Sequence, residues 1–217
     1  ATDLSLLQRH AGAYDLGVAF DGDGDRMLAV DASGAAVDGD QIVAMLALHL
    51  KVPSVTVTPM TNLGFHELMS QHGIDVHVTE EVGDRYVLET MRATGGTLGG
   101  EQSGHIIYLE GHVTGDGLVA ALLLCTALEG RTLAEAGAVM QRHPQVKENV
   151  RVRTKALPPE LVEVVAHHNA ELGGRGRVLV RPSGTEPVVR VLAEAPDEAE
   201  AASLCATIAG LVRRELG

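Results

Sequence analysis

The 217-residue sequence predicts a mixed α/β fold, with a mainly parallel sheet and flanking helices, followed by a smaller α+β domain. Short β-branched runs such as 54–58 alternate with apolar helical runs such as 41–50, a pattern typical of βαβ units. This alternation stops near His143, after which two strand patterns, 177–181 and 188–194, follow each other directly. We therefore expect a domain boundary close to His143.

Capping residues and glycines set the ends of the elements predicted in the first domain. Asp40 precedes an apolar run and marks a helix start, Asn62 begins a helix that ends before Gly73, and Asp116 begins a long apolar helix. Residues 97–100, which include two glycines, are expected to enter a loop. The other expected elements are strands at 15–20, 26–31, 54–58, 74–79 and 105–110 and a helix at 86–92.

The second domain ends in an amphipathic helix that follows a start signal at Asp197. Its apolar residues recur every three or four positions and therefore share one face. They are Leu204, Ile208, Leu211 and Val212. The earlier elements expected in this domain are strands at 146–153, 177–181 and 188–194 and a helix at 160–170.

Composition excludes several classes of partner. The net charge of −12 disfavours nucleic acid and anionic membranes, although local arginines can still hold an anionic substrate. No apolar run reaches the roughly 18 residues of a membrane span, and no secretory signal is visible. Cys125 and Cys205 form no CxxC pair, so we interpret them as reduced core thiols of a cytoplasmic protein, not as zinc ligands.

Segment 21–26 (DGDGDR) carries three carboxylates at alternate positions. The glycines between them permit a tight loop, and Asp21, Asp23 and Asp25 can therefore surround one Mg²⁺. A calcium loop of the EF-hand type needs Gly at its sixth position and Glu at its twelfth, where this chain has Arg26 and Ala32. The plain alternative is a solvated acidic turn. Arg26 beside the carboxylates would have a role if a phosphate is bound there, because arginine binds phosphate in fork geometry.

Segment 99–105 (GGEQSGH) gathers a carboxylate, a hydroxyl and an imidazole on one short loop. Glu101 and Ser103 are spaced to bind neighbouring sugar hydroxyls, and His105 is placed to transfer a proton. A purely structural histidine is the alternative at this position. Asp84 and Arg85, in a polar loop after a strand, are weaker candidates for the same cleft.

Segment 181–187 (RPSGTEP) lies between two predicted strands and has the composition of an anion nest. We expect Arg181, Ser183, Gly184 and Thr185 to bind a phosphate group there, and Glu186 to be a further substrate-binding residue. The segment is no Walker loop, because GxxxxGK[ST] is absent, and no GxGxxG motif supports dinucleotide binding. An ordinary hairpin turn is the alternative.

Together and in this order, the three loops resemble the metal, sugar and phosphate loops of the α-D-phosphohexomutase superfamily. Segments 82–87 (VGDRYV), 114–117 (TGDG) and 143–152 (HPQVKENVRV) resemble the phosphoglucosamine mutases within it. The resemblance begins near residue 15 and runs to the end of the chain.

The resemblance also implies a division into three segments. Residues 1–37 would be the end of the second family domain, with the metal loop. Residues 38–142 would be the third, an α/β domain with the sugar loop. Residues 143–217 would be the fourth, an α+β domain with the phosphate loop.

By resemblance, the protein is an isomerase that interconverts glucosamine 6-phosphate and glucosamine 1-phosphate, on the route to UDP-N-acetylglucosamine. The reaction would use an enzyme phosphoserine, a bisphosphorylated intermediate and Mg²⁺, with Arg26 and His105 as catalytic residues. The partners implied are a phosphorylated hexose or hexosamine and the N-terminal half of the same enzyme, and a homodimer stays open. Phosphomannomutase or phosphoglucomutase activity, or a non-catalytic phosphosugar-binding module, are the alternatives.

The nucleophile of the family lies in a loop of the type Thr-Ala-Ser-His-Asn-Pro. None of the seven serines in this sequence is followed by His-Asn. They are Ser5, Ser33, Ser54, Ser70, Ser103, Ser183 and Ser203. We therefore expect a C-terminal fragment that binds ligands but does not turn over by itself.

Overall fold

The computed structural model describes residues 3–184 and 186–217 and divides into two compact units, Ala1–Gln141 and Arg142–Gly217. The predicted mixed α/β class is confirmed. The division into three segments, with a break at 37/38, stays a prediction. Within the described residues, none of the helices combines the length and the apolar composition needed to cross a membrane.

The first unit alternates strands and helices along most of its length. In chain order its elements are α1 (Ser5–His10), a 3₁₀ turn (Ala11–Ala13), β1 (Leu16–Phe20), β2 (Met27–Asp31), β3 (Ala36–Val37), α2 (Gly39–Leu50), β4 (Ser54–Val57), α3 (Leu63–Gln71), β5 (Asp75–Val78), α4 (Asp84–Thr94), β6 (Leu98–Gly100), β7 (Ile106–Tyr108), α5 (Gly117–Leu128) and α6 (Leu133–Gly137).

Two sheets organise this unit. Strands β1, β2 and β3 form an antiparallel sheet in that order, and a four-stranded sheet has the order β5-β4-β6-β7. Strand β4 pairs in parallel with β5 and with β6, whereas β7 joins β6 antiparallel. The expected parallel pairing is therefore found only at β4. One apolar core joins residues of both sheets and of the helices α2, α3, α5 and α6.

Strand β6 differs from the expectation, because residues 97–100 were predicted to enter a loop. The two glycines of this strand serve close packing rather than a turn. A Cβ on Gly99 would lie 2.7 Å from the Met91 sulfur and 2.8 Å from the Thr56 carbonyl oxygen. Helix α4 and strand β4 therefore approach this backbone too closely for any side chain.

Helix starts follow the predicted caps with one correction. Asn62 caps α3 through the Gly64 amide, and Asp116 caps α5 through the Val119 amide, as expected. Helix α2, however, is capped by Asp38, whose side chain accepts from the Gln41 amide in a capping box. The prediction that Asp40 marks the start of this helix was therefore wrong, since Asp40 lies inside its first turn and is 2% exposed.

The long helix α5 is buried on one side only. Leu124 is fully buried, whereas Leu118 and Leu122 are 60% and 61% exposed. Cys205 is buried, as expected of a core thiol, but Cys125 on α5 is exposed. The core placement predicted for Cys125 was wrong because a helix that is apolar all round does not reveal which side faces the core.

The second unit is an antiparallel sheet packed against two helices. Its elements are β8 (Gln145–Arg151), α7 (Pro159–Leu172), β9 (Arg177–Pro182), β10 (Val188–Glu194) and α8 (Glu198–Leu216), and the strand order is β8-β10-β9. Asp197 caps α8 through the Glu200 amide. The predicted apolar face of α8 is confirmed, because Ile208 and Val212 are buried in the core of this unit while Leu204 and Leu211 pack against it.

The packing at Gly99 generates a prediction. Gly99→Ala should lower the free energy of unfolding by about 1–3 kcal/mol, because the added methyl group overlaps atoms of both neighbouring elements. Gly12→Ala is the matched control, since a Cβ there has no atom within 4 Å. Urea unfolding measures both variants, and equal midpoints would show that β6 does not lie this close to α4 and β4.

Candidate active site

The metal loop joins β1 to β2 and brings three carboxylates together. Asp21, Asp23 and Asp25 each offer an oxygen, and these three atoms lie within 4.8 Å of one another. Gly24 has a φ of +78°, a left-handed conformation that glycine adopts easily because it has no Cβ. Oxygen Oδ1 of Asp25 is buried without a hydrogen-bond partner among the described residues. Hard oxygen ligands at this spacing fit Mg²⁺.

Charge repulsion within this loop favours a cation. Burial raises the pKa of Asp25, and the neighbouring charges of Asp21 and Asp23 raise it further, against the lowering influence of His105. The Arg26 amide donates to Asp21 Oδ1 at 3.2 Å, and its guanidinium Nε lies 3.8 Å from Asp21 Oδ2. Arg26 therefore offsets part of the negative charge, and a metal ion would offset more.

The sugar loop is a tight turn between β6 and β7. The Gly104 amide donates to the Glu101 carbonyl, and the Glu101 amide donates to the His105 carbonyl, both at 2.9 Å. Glu101 is 7% exposed and accepts from Ser103 Oγ at 3.2 Å. Burial raises the pKa of Glu101, although the Ser103 hydroxyl partly opposes this. Glu101 and Ser103 therefore share one polar position at the carboxyl end of the sheet.

Backbone pairing joins the sugar loop to the metal loop. Arg26 and His105 form an antiparallel β-bridge, and the Met27 amide donates to the Gly104 carbonyl at 3.0 Å. The imidazole Nε2 of His105 consequently lies 3.2 Å from Asp25 Oδ2, close enough for a hydrogen bond. The side chain of His105 is 3% exposed. Two motifs that are 80 residues apart in sequence thus form one cluster.

Asp84 and Arg85 separate at the start of α4. Asp84 Oδ2 lies 3.9 Å from His105 Nε2, so this residue reaches the cluster. The Arg85 side chain is 78% exposed and pairs with Glu89 at 2.8 Å, one turn further along the helix. The structure therefore brings Asp84, and not the Arg85 guanidinium, to the sugar loop.

The TGDG segment supports the cluster from α5, a role that the sequence did not indicate. The Gly117 amide donates to the Gly24 carbonyl at 2.9 Å, and a Cβ on Gly117 would lie 2.7 Å from that oxygen. A Cβ on Gly115 would lie 2.5 Å from His105 Nε2. Gly115 and Gly117 on either side of the cap Asp116 were the available signal for this close packing, because a helix cap by itself does not require glycines beside it.

The phosphate loop follows β9 in the second unit. Ser183 is 4% exposed, its amide donates to the Val188 carbonyl at 2.9 Å, and its Oγ accepts from the Glu186 amide at 3.3 Å. Gly184 is exposed, and Thr185 lies outside the described residues. Lys155 Nζ donates to the Ser183 carbonyl at 2.7 Å, which ties a second segment to the loop.

Arg190 is a candidate that sequence reasoning missed. The β9–β10 register places Arg190 directly opposite Arg181, while Val189 and Val191 on either side of it are buried in the core. Like charges directly opposite one another destabilise a sheet, although Glu186 lies 3.8 Å from Arg190. An anion bound beside the pair would relieve this repulsion. The alternation of valine and arginine along β10 could have indicated that the Arg190 side chain points away from the core. That it lies opposite Arg181 depends on the strand register, which the sequence does not show.

Two family profiles match the chain, over ranges that contain the sugar loop and the phosphate loop. The profile for phosphoglucomutase/phosphomannomutase alpha/beta/alpha domain III matches residues 38–145, and the profile for the C-terminal domain of the same family matches residues 129–211.

Relatives in sequence are phosphoglucosamine mutases. The chain is 48% identical to that of Geobacillus thermodenitrificans over 225 residues, which cover 99% of this chain and 50% of the relative. It is 51% identical to that of Frankia casuarinae over 229 residues, which cover 100% of this chain and 50% of the relative. The chain thus spans about half the length of the curated relatives it matches.

Solved structures show the same fold. N-acetylphosphoglucosamine mutase of Aspergillus fumigatus, crystallised with GlcNAc-6P and magnesium, superposes with a TM-score of 0.78 at 22% identity, over 91% of this chain and 48% of that protein. Two profiles of one family together match residues 38–211, and relatives align along the whole chain, so the chain belongs to the phosphoglucomutase/phosphomannomutase family.

Proposed function

We propose that this chain is the metal-, sugar- and phosphate-binding part of a phosphoglucosamine mutase, an isomerase that interconverts glucosamine 6-phosphate and glucosamine 1-phosphate. The observation that carries the proposal is the cluster of three carboxylates in the metal loop, one of which, Asp25, lies 3.2 Å from His105 of the sugar loop. The identity to phosphoglucosamine mutases over the whole chain supports this substrate over mannose or glucose phosphates.

Asp21, Asp23 and Asp25 would hold Mg²⁺ through one oxygen each. The ion would supply positive charge to the phosphoryl group during transfer, as metals do in phosphoryl-transfer enzymes. Arg26 follows this loop directly, and its guanidinium, 40% exposed, can bind a phosphate oxygen. The chain's own contribution is therefore to fix the carboxylates and one arginine around the reacting group.

Glu101 and Ser103 would bind the sugar hydroxyls. Glu101 is buried and its carboxylate already accepts from Ser103, so a sugar hydroxyl would find a pre-positioned acceptor. His105 would assist proton transfer, and Asp25 and Asp84 near its Nε2 would fix the orientation of the ring. Because the substrate must react at two different oxygens, a short polar loop that accepts both orientations suits this reaction.

The second unit would bind the phosphate group that is not being transferred. Arg181, Ser183, Gly184, Thr185 and Glu186 are the residues that the resemblance indicates. To them we add Arg190, because a phosphate between two opposing arginines has both bidentate partners and charge compensation.

The phosphoserine that the family uses would come from a loop outside this chain, because no serine here is followed by His-Asn. This observation also favours the second candidate, a phosphosugar-binding module without turnover, for the chain by itself. We place the protein in the cytoplasm, on the basis of its two unpaired cysteines, and in amino-sugar metabolism.

Arg181→Ala and Arg190→Ala should each weaken the binding of glucosamine 6-phosphate by about 1.5–3 kcal/mol, because each removes a charged hydrogen-bond donor. Arg175→Ala is the control, since Arg175 is equally charged, exposed and on the same unit. Isothermal titration calorimetry measures the affinities. If all three variants bind as tightly as the original chain, this loop is no phosphate site.

The purified chain should bind glucosamine 6-phosphate but should not convert it in the presence of Mg²⁺ and a sugar bisphosphate. A fusion of this chain to the N-terminal half of the Geobacillus relative should convert it, because the fusion restores a phosphoryl donor. Asp23→Asn in the fusion is the inactive control.

Two results would contradict the proposal. Sustained formation of the 1-phosphate by the chain alone would mean that a nucleophile lies within it. A folded fusion that converts mannose or glucose phosphate but not glucosamine 6-phosphate would establish the alternative substrate.

A further inference from the structure

Asp40 is a buried carboxylate that the proposed reaction does not use. It lies in the first turn of α2 and is 2% exposed. Its Oδ2 accepts from the Asn62 amide at 2.9 Å and from Gln102 Nε2 at 3.0 Å. Asp40 therefore links the turn after β4 to the sugar loop.

Gln102 is held twice by the same helix turn. Besides the contact of its amide with Asp40, its carbonyl accepts from the Gly39 amide at 3.1 Å. A Cβ on Gly39 would lie 2.8 Å from the Gly104 nitrogen and would overlap the Glu101 carbonyl, so the backbones of helix and loop are in direct contact. Gln102 sits between the two residues that would bind sugar, and its side chain points into the protein.

We propose that Asp40, acting through Gln102, is a positioning residue that fixes the sugar loop in its binding geometry. The inference rests on the proposed function for the role of Glu101 and Ser103, and it assigns Gln102 a role in support of the loop rather than in contact with substrate. Because the loop is a single tight turn, fixing Gln102 also fixes the positions of its neighbours Glu101 and Ser103.

The chemistry of Asp40 suits this role. An ionised carboxylate offers acceptors only, and here it faces the donors of Asn62 and Gln102. Burial and the charge of Asp38 raise the pKa of Asp40 to about 7, while the hydrogen bonds from Asn62 and Gln102 lower it. The helix N-terminus adds a favourable partial positive charge. A buried carboxylate that accepts from both donors fixes where those donors lie relative to each other.

A charge-swap experiment in the 217-residue chain tests the proposal. At a pH well above the pKa of Asp40, where both groups are ionised, Gln102→Glu places a second carboxylate against Asp40, and the repulsion should release the loop. Hydrogen exchange of the Gly104 amide, which donates to the Glu101 carbonyl, should become about tenfold or more faster. The Thr79 amide, which donates to the Val57 carbonyl in the same unit, should keep its rate. The affinity for glucosamine 6-phosphate should fall by about tenfold as well.

Adding Asp40→Asn to Gln102→Glu should restore both quantities, because the asparagine amide can donate to the new carboxylate. Adding Asp38→Asn instead is the matched control. It removes the same charge two residues away and keeps an equally good helix cap, so it should restore neither.

Each outcome decides the proposal. Rescue by Asp40→Asn alone supports a direct Asp40–Gln102 contact that sets the loop. No rescue, or equal rescue by Asp38→Asn, overturns it, because the effect of Gln102→Glu would then be general repulsion or disruption. If no variant binds glucosamine 6-phosphate, the proposed function fails, while the exchange of Gly104 still decides whether Asp40 positions the loop.

Discussion

The β-bridge between Arg26 and His105 is the constraint on which the candidate active site depends. It lets the Met27 amide donate to the Gly104 carbonyl, so the end of the metal loop and the end of the sugar loop run along one ladder. Gly104 has a φ of +93°, and a Cβ there would overlap the carbonyl of Met27. The close approach therefore requires glycine, and the distance from His105 to Asp25 follows from backbone geometry rather than from flexible side chains.

Burial of carboxylates is the energetic consequence of this compact arrangement. The pKa values of Asp25, Glu101 and Asp40 are all raised, and burial is the largest cause in each case. Each carboxylate faces like charge or loses water, which disfavours its ionised form. A metal ion at Asp25 and hydroxyl donors at Glu101 would stabilise the ionised form. Ligand binding and the stability of the loops are therefore coupled.

Local signals in the sequence were sufficient for much of the fold. Asn62 and Asp116 cap the helices expected of them, since a cap depends only on residues within one turn. At α2, both Asp38 and Asp40 are possible N-cap residues. Gln41, three residues after Asp38, completes a capping box and was the local signal that favours Asp38.

Other features depend on contacts that no local pattern contains. The glycines of residues 97–100 led to the expectation of a loop. They form strand β6 instead, because they allow Thr56 and Met91 to lie close to its backbone. Arg190 becomes a candidate anion-binding residue only because the strand register places it opposite Arg181. The three loops could be identified as candidate binding loops from their composition, but the Arg26–His105 bridge that joins the metal loop to the sugar loop could not.

The central claim is that the metal loop and the sugar loop form one site, and titration of the ¹⁵N-labelled chain with Mg²⁺ tests it most directly by NMR. The bridge predicts that the amides of Gly22 and Gly24 and those of Gly104 and His105 shift together, with one dissociation constant, because Asp25 is in contact with His105. Asp23→Asn should abolish the shifts in both loops. Shifts confined to residues 21–26, with the sugar loop unchanged at saturation, would contradict the account.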